Sequence, residues 1–230
     1  MVATRRNVAG IILRRTDYAE ADRILVVLTK ELGKITAIAK GVRKLKSKLA
    51  GGIELLSVSE LGVLPGRSMY TITSARSTQT FDRIPKDLTT LNIAYDQLKL
   101  INKKVEDGEA AELFTVVEQS LYALNEGVDV DLVQVWFYVQ VLTYFGQQLN
   151  LTHDVNGVEL GADLTYALQP SQGALIPSES DYAIFSEDAI KALRLMLRYD
   201  PRQLNHVKGV VEAVKKVSPD IEAFTNYQLG

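Results

Sequence analysis

The spacing of apolar and polar positions divides the chain into two parts. Up to about residue 80, short aliphatic and β-branched runs alternate with polar or glycine-containing turns, which is typical of β-strands. Five short strands with a long loop after the third predict a small closed barrel of the OB type, and an SH3-like barrel also fits the strand count. The predicted strands are residues 8–13, 24–29, 35–39, 53–64 and 69–75.

Beyond a linker at residues 82–86, the apolar period changes to that of an α-helix. Residues 150–185 lose this period and predict an irregular insert with room for a small hairpin. We therefore expect an α+β, multidomain protein, with an OB-fold β-barrel at 1–80 followed by an all-α helical domain at 81–230. The predicted helices are 88–104, 110–125, 130–149, 186–198 and 204–217, with a short one after Pro219.

The charged residues divide at the same place. Residues 1–80 contain 14 Lys and Arg against six Asp and Glu, a net charge of +8, whereas residues 81–230 contain 12 against 22, a net charge of −10. Such a contrast predicts two bodies with different partners. The chain has no cysteine and no apolar run of the ~18–20 residues that span a bilayer. Since residues 1–6 show no export signal, we expect a cytoplasmic protein without membrane contact.

The most basic segment lies in the predicted loop after the third strand, at residues 41–52. Four cations fall within six residues and glycines flank them, an arrangement typical of a surface that meets phosphate. Ordinary solvated charge is the alternative interpretation, and the +8 charge of the barrel half favours nucleic-acid binding over it. The candidate DNA-binding residues are Arg43, Lys44, Lys46, Lys48, Lys40, Arg14, Arg15, Arg23 and Lys34.

The same half is poor in aromatic residues, with Tyr18, Tyr70 and Phe81 only. We interpret Tyr18 and Tyr70 as core or rim residues, so that binding is mainly electrostatic, weakly sequence-selective and sensitive to salt. No catalytic triad, phosphate loop or metal-ligand spacing is present, and the carboxylates Asp17, Glu20 and Asp22 have no accompanying site. We therefore expect a protein that is not an enzyme and that uses no cofactor.

The stretch from Leu13 to Gly52 resembles the N-terminal domain of the RecO family of DNA repair proteins. The resemblance is carried by an ordered set of short motifs: DYAEADR at 17–23, LTKELGK at 28–34, AKGVR at 39–43 and KSKLAG at 46–51. It implies an OB-fold followed by a helical domain, in a bacterial, nucleoid-associated protein. It also implies a recombination mediator that binds single- and double-stranded DNA and anneals complementary strands. The implied protein partners are a RecR-like protein, single-strand-binding protein and, indirectly, the RecA recombinase.

Many members of that family carry a zinc site of two Cys-x-x-Cys pairs in the insert. The corresponding positions here are His153 and Asn156, then Pro177 and Ser180. Proline cannot bind a metal, and Asn and Ser are poor zinc ligands. We therefore expect a degenerate, zinc-free insert that packing must hold together.

The family also implies a site in the helical domain for the acidic C-terminal tail of single-strand-binding protein. Arg194 and Arg198 lie one helical turn apart beside Leu195 and Leu197, and they are the candidates, with an exposed helix face as the alternative. Two other functions remain open. One is a non-catalytic protein–protein adaptor with a basic OB barrel, and the other is an RNA-binding OB protein.

Overall fold

The computed structural model describes residues 4–181 and 183–230. Residues 1–3, part of the segment used for the export-signal prediction, and residue 182 lie outside that description. Contacts divide the chain into two compact units, Met1–Asn125 and Glu126–Gly230. In the part of the chain that is described, no helix is both long and apolar enough to cross a membrane.

Within the described residues, five strands of the first unit close into a barrel. The strands are β1 (Arg6–Tyr18), β2 (Asp22–Thr29), β3 (Gly33–Ala39), β4 (Ser57–Leu64) and β5 (Tyr70–Thr80). Their order is β1-β2-β3-β5-β4, with β4 pairing back onto β1 and β3 running parallel to β5. This confirms the predicted OB-type barrel.

The barrel core consists of the inward-facing residues of each strand, among them Ile12, Leu25, Val27, Leu61 and Ile72, all at most 3% exposed. Their alternation with outward-facing residues fixes the register of the strands, because a slip of one residue would turn the whole apolar set toward water. The loop between β3 and β4 is long, and both of its ends are anchored to the barrel. This loop contains the basic segment.

The first unit also includes α1 (Leu88–Lys104) and all but the last residue of α2 (Leu113–Glu126). The turn between β2 and β3 docks on the connection between these helices. The Lys34 N–H donates to the Glu109 carbonyl (2.9 Å), and the Gly108 N–H donates to the Lys34 carbonyl (2.7 Å). Gly33, at φ +65°, lies directly against the backbone of Glu109.

The second unit is built around α3 (Val130–Tyr144), which is buried on most of its surface. It packs against α4 (Glu187–Met196), α5 (Pro201–Leu204) and α6 (Val210–Leu229). The Trp136 Nε1–H donates to the Tyr199 carbonyl (2.9 Å), and Gln140 Nε2 donates to the Met196 carbonyl (2.6 Å). The helix predicted at 130–149 is therefore present, although it ends at Tyr144.

Two further features of this unit bear on the sequence predictions. The insert contains the small hairpin, formed by β6 (Tyr166–Gln169) and β7 (Ala174–Pro177). The predicted helix break before Pro219 is wrong, because α6 continues through this residue. A helix-interior proline costs about 3 kcal/mol, and the buried residues on both sides of it, Val214, Val217, Ile221 and Phe224, offset that cost by packing.

Gly33→Ala tests the docking of the β2–β3 turn. A Cβ at this position would lie 2.7 Å from the carbonyl carbon of Glu109 and closer still to its oxygen. We expect the substitution to lower the free energy of unfolding by about 3 kcal/mol, from left-handed backbone strain and overpacking together. Urea denaturation measures the change.

Gly108→Ala is the matched control. Gly108 also has a positive φ, +89°, but an added Cβ would meet no atom within 4 Å. It should cost about 1 kcal/mol from backbone strain alone. Equal losses of unfolding free energy in the two variants would show that the contact with Glu109 is not the source of the effect.

Candidate nucleic-acid interface

Two hydrogen bonds, which together we call the latch, hold the start of the basic loop, residues 41–49. The Gly41 N–H donates to Asp22 Oδ1 (2.7 Å), and the Arg43 N–H donates to the Ala21 carbonyl (2.9 Å). Between these bonds, Val42 inserts into the barrel core and is 2% exposed. The turn that joins β1 to β2 therefore fixes where the loop leaves the barrel.

Asp17 completes this arrangement by holding two guanidinium groups. Its Oδ1 accepts a hydrogen bond from Arg23 Nε (2.8 Å), and its Oδ2 lies 3.5 Å from Arg43 Nε. The hydrogen bond from Arg23, together with the charge of Arg43, lowers the pKa of the Asp17 carboxyl below its ordinary value. Asp17 thus stays ionised beside the loop, and the charges of Arg23 and Arg43 are partly compensated.

The lysines of the loop are different. Lys44, Lys46 and Lys48 are exposed, and among the described residues no carboxylate lies within ion-pair distance of any of them. The same holds for Lys40, at the end of β3, and for Arg14, on β1. These five exposed cations are the part of the predicted site that is free to meet phosphate.

Besides Arg23 and Arg43, two more of the predicted residues have protein partners. Arg15 pairs with Glu54. Lys34 is 11% exposed, and its Nζ lies 3.2 Å from the Asn102 carbonyl oxygen and 3.6 Å from Asp107 Oδ1. Contrary to the prediction, Lys34 is not part of the exposed basic surface, because the docking of the β2–β3 turn places it against the end of α1.

Sequence reasoning missed the exposure of one aromatic side chain. Tyr18, expected in the core or rim, is 52% exposed at the end of β1, whereas Tyr70 packs against the barrel core. Tyr18 directly follows Asp17 and thus lies near the latch. Its ring is available as a stacking surface for a base.

The second unit contains an apolar cleft of about 880 Å³. Leucines dominate its lining, and basic side chains lie among them: Leu142, Leu149, Leu193, Leu197, Lys191, Arg194 and Arg198. Cations beside leucines are the chemistry that receives an acidic peptide with an apolar end. The two predicted residues Arg194 and Arg198 therefore both line one cleft.

The cations of the cleft differ in how they are held. Arg194 donates from Nε (2.9 Å) and Nη2 (2.6 Å) to the Leu151 carbonyl, so it fastens the start of the insert to α4. Lys191 pairs with Glu187 at 2.7 Å. Arg198 is exposed, and no carboxylate of the described residues lies within ion-pair distance of it. Arg198 is the cation available to a ligand.

Comparison with known proteins decides the family. The profile described as "Recombination protein O N terminal" matches residues 3–81, and "Recombination protein O C terminal" matches residues 85–230. The chain belongs to the RecO family. This confirms the resemblance read from the motifs, and it supports a role in DNA repair and recombination. The two profiles meet where strands give way to helices.

Individual relatives agree with the family profiles. "DNA repair protein RecO" of Heliobacterium modesticaldum is 30% identical over 218 residues, covering 91% of this chain and 80% of the relative. The protein of that name from Dehalococcoides mccartyi is 33% identical over 190 residues, covering 80% and 75%. That from Bacillus cereus is 27% identical over 217 residues, covering 92% and 86%.

The insert of this RecO family member is held by a hairpin and by a side-chain carboxylate that accepts hydrogen bonds from backbone N–H groups. Asp154, 7% exposed, accepts at Oδ1 from the N–H groups of Asn156 (2.8 Å) and Val158 (2.9 Å). Tyr166 and Leu175 are buried, whereas Leu164 is half exposed. The insert therefore has a local framework of hydrogen bonds and buried side chains.

The positions that correspond to zinc ligands have their own neighbours. His153 is exposed with Nδ1 3.0 Å from Thr152 Oγ1, Pro177 ends β7, and the Ser180 hydroxyl lies 2.8 Å from that of Ser178. Across residues 4–181 and 183–230, no three His, Asp or Glu side chains come together in a group that could hold a metal ion. That the insert binds no zinc stays a prediction.

Proposed function

We propose that this protein binds DNA through the basic loop and anneals complementary strands during recombinational repair. The observation that carries the proposal is the group of exposed lysines, Lys44, Lys46 and Lys48, on a loop that the latch holds in place. Each lysine that meets a phosphate releases condensed counterions, so binding is driven largely by entropy and weakens with salt. Phosphate is common to both forms of DNA, which accounts for binding to single and double strands alike.

Annealing follows from the same contacts. Two complementary strands repel each other through their phosphates, and a protein that neutralises phosphates lowers this repulsion. Lysine contacts to the backbone leave the base edges free to pair. The role requires binding and release of DNA, with no bond broken.

We extend the proposal to the cleft of the second unit. An acidic peptide with an apolar end, which is the chemistry we propose for the tail of single-strand-binding protein, would place that end among the leucines and its carboxylates near Arg198. Such binding would bring the protein to DNA already coated by single-strand-binding protein. A RecR-like partner would then assist loading of the RecA recombinase.

The DNA-binding surface is tested by substituting Lys44, Lys46 and Lys48 together with alanine. Loss of three phosphate contacts should lower the affinity for a single-stranded oligonucleotide at every salt concentration. The slope of log affinity against log salt should fall in magnitude by about 2, at about 0.7 per contact for single strands. Fluorescence anisotropy across a salt series measures both quantities.

The control makes the same change in net charge elsewhere. Lys103, Lys208 and Lys216 are exposed and lie outside the loop, so their joint replacement by alanine should leave the slope near that of the parent. An equal effect of the two triple variants would mean that net charge, not the loop, determines binding. Preference for RNA of the same sequence in the parent would contradict a role specific to DNA.

The cleft is tested with a synthetic acidic peptide that has an apolar C-terminal residue and a free carboxylate. Arg198→Glu should weaken its binding by at least about tenfold, because a charge-assisted contact is replaced by repulsion. Leu197→Ser, at a half-exposed position of the lining, should weaken it through the apolar contact. Isothermal titration calorimetry measures both.

Lys216→Glu, which makes the same charge change on α6, is the control and should bind the peptide as the parent does. If Arg198→Glu also binds like the parent, the cleft is not the peptide site.

A further inference from the structure

The tip of the basic loop carries an apolar side chain that the barrel does not use. Leu45 is fully exposed, at 106% of its reference area. The other apolar residues of the loop face inward, with Val42 in the core and Leu49 packed against it. Leu45 therefore contributes nothing to the anchoring of the loop.

The backbone of the loop places Leu45 at the tip. The Lys44 N–H donates to the Gly41 carbonyl (3.2 Å), and the Ser47 N–H donates to the Lys44 carbonyl (2.9 Å). The second bond closes a turn whose two central residues are Leu45 and Lys46, and both of these residues are exposed. Because Val42 and Leu49 fix both ends, the tip projects from a defined base.

The neighbours of Leu45 indicate what it meets. It lies between two exposed cations, Lys44 and Lys46, and Lys48 follows. Cations on both sides of an exposed apolar group fit a ligand that carries phosphates beside stacked bases. Leucine is one of the side chains that proteins insert between base steps.

We propose that Leu45 is a wedge that enters the base stack of a bound DNA strand, while the flanking lysines hold the phosphates. This inference rests on the proposed function and adds an apolar contact to it. Parting two stacked bases bends or opens the strand locally and leaves single bases ready to pair with a complementary strand. The wedge thus gives the loop a part in annealing beyond charge neutralisation.

The experiment uses the full chain with Leu45→Ala and two single-stranded oligonucleotides. One is unlabelled and serves for affinity across a salt series; the other carries 2-aminopurine, whose fluorescence rises when it is unstacked. Leu88→Ala is the matched control, since Leu88 is 71% exposed at the start of α1. Leu45→Met is the rescue, because it restores an apolar side chain of similar length.

We expect Leu45→Ala to lower the affinity by about three- to tenfold, from the apolar area that is no longer buried. The salt slope should stay at the parent value, because no phosphate contact is lost. The 2-aminopurine signal at saturation should fall toward that of the free oligonucleotide. Leu45→Met should restore the affinity and the signal, and Leu88→Ala should behave as the parent.

Several results would overturn the wedge. If Leu45→Ala matches the parent in affinity and in 2-aminopurine signal while the parent binds DNA with strong salt dependence, the wedge is wrong and the proposed function stands. If Leu45→Ala leaves DNA binding intact and abolishes only binding to anionic vesicles, the tip serves a membrane surface instead. If the parent shows no salt-dependent DNA binding at all, the proposed function fails first, and the wedge with it.

Discussion

The hydrogen bond between the Asp22 carboxylate and the Gly41 N–H, at 2.7 Å, is the interaction on which the candidate DNA surface depends. It joins the β1–β2 turn to the start of the basic loop, and the bond from the Arg43 N–H to the Ala21 carbonyl reinforces it. Two exposed lysines about 10 Å apart repel by about 0.4 kcal/mol in water, so the three pairs among the loop lysines sum to about 1.2 kcal/mol, and salt screens this further. A hydrogen bond to a charged group contributes about 1.5–3 kcal/mol. The latch therefore outweighs the repulsion that would spread the loop.

The cations beside the latch are of two kinds. Arg23 and Arg43 are held by Asp17 and build the base of the loop. Lys44, Lys46 and Lys48 extend beyond it without carboxylate partners among the described residues. Among these five residues the division follows side-chain chemistry, since a planar guanidinium binds a carboxylate in a fixed geometry whereas a flexible ammonium acts as a point charge for phosphate. The motif DYAEADR at 17–23, with three acidic residues and one basic residue, thus positions the residues that carry the positive charge.

The sequence predicts this architecture where the signal is local. The alternation of apolar positions indicates the strands of the barrel, and the helical period indicates α1 to its observed bounds, Leu88–Lys104. It fails where distant contacts decide. Lys34 looks like any surface lysine until the turn docks beside Asn102 and Asp107, and the break expected at Pro219 is overridden by tertiary packing. From the sequence alone Arg194 is a free surface cation, because only the folded chain places the Leu151 carbonyl within hydrogen-bond distance of it.

The central claim is that the latch presents the loop to DNA, and substitution of Asp22 tests it most directly. Asp22→Ala removes a negative charge beside the basic surface, so charge alone predicts tighter binding of single-stranded DNA. If the latch positions the loop, binding should instead be weaker, because the loop loses its fixed base. Hydrogen exchange at the Gly41 amide should also be faster. Asp22→Asn keeps a carbonyl oxygen for the Gly41 N–H and should bind DNA at least as tightly as the parent. Affinity of Asp22→Ala equal to or above that of the parent, with unchanged amide exchange, would contradict the account.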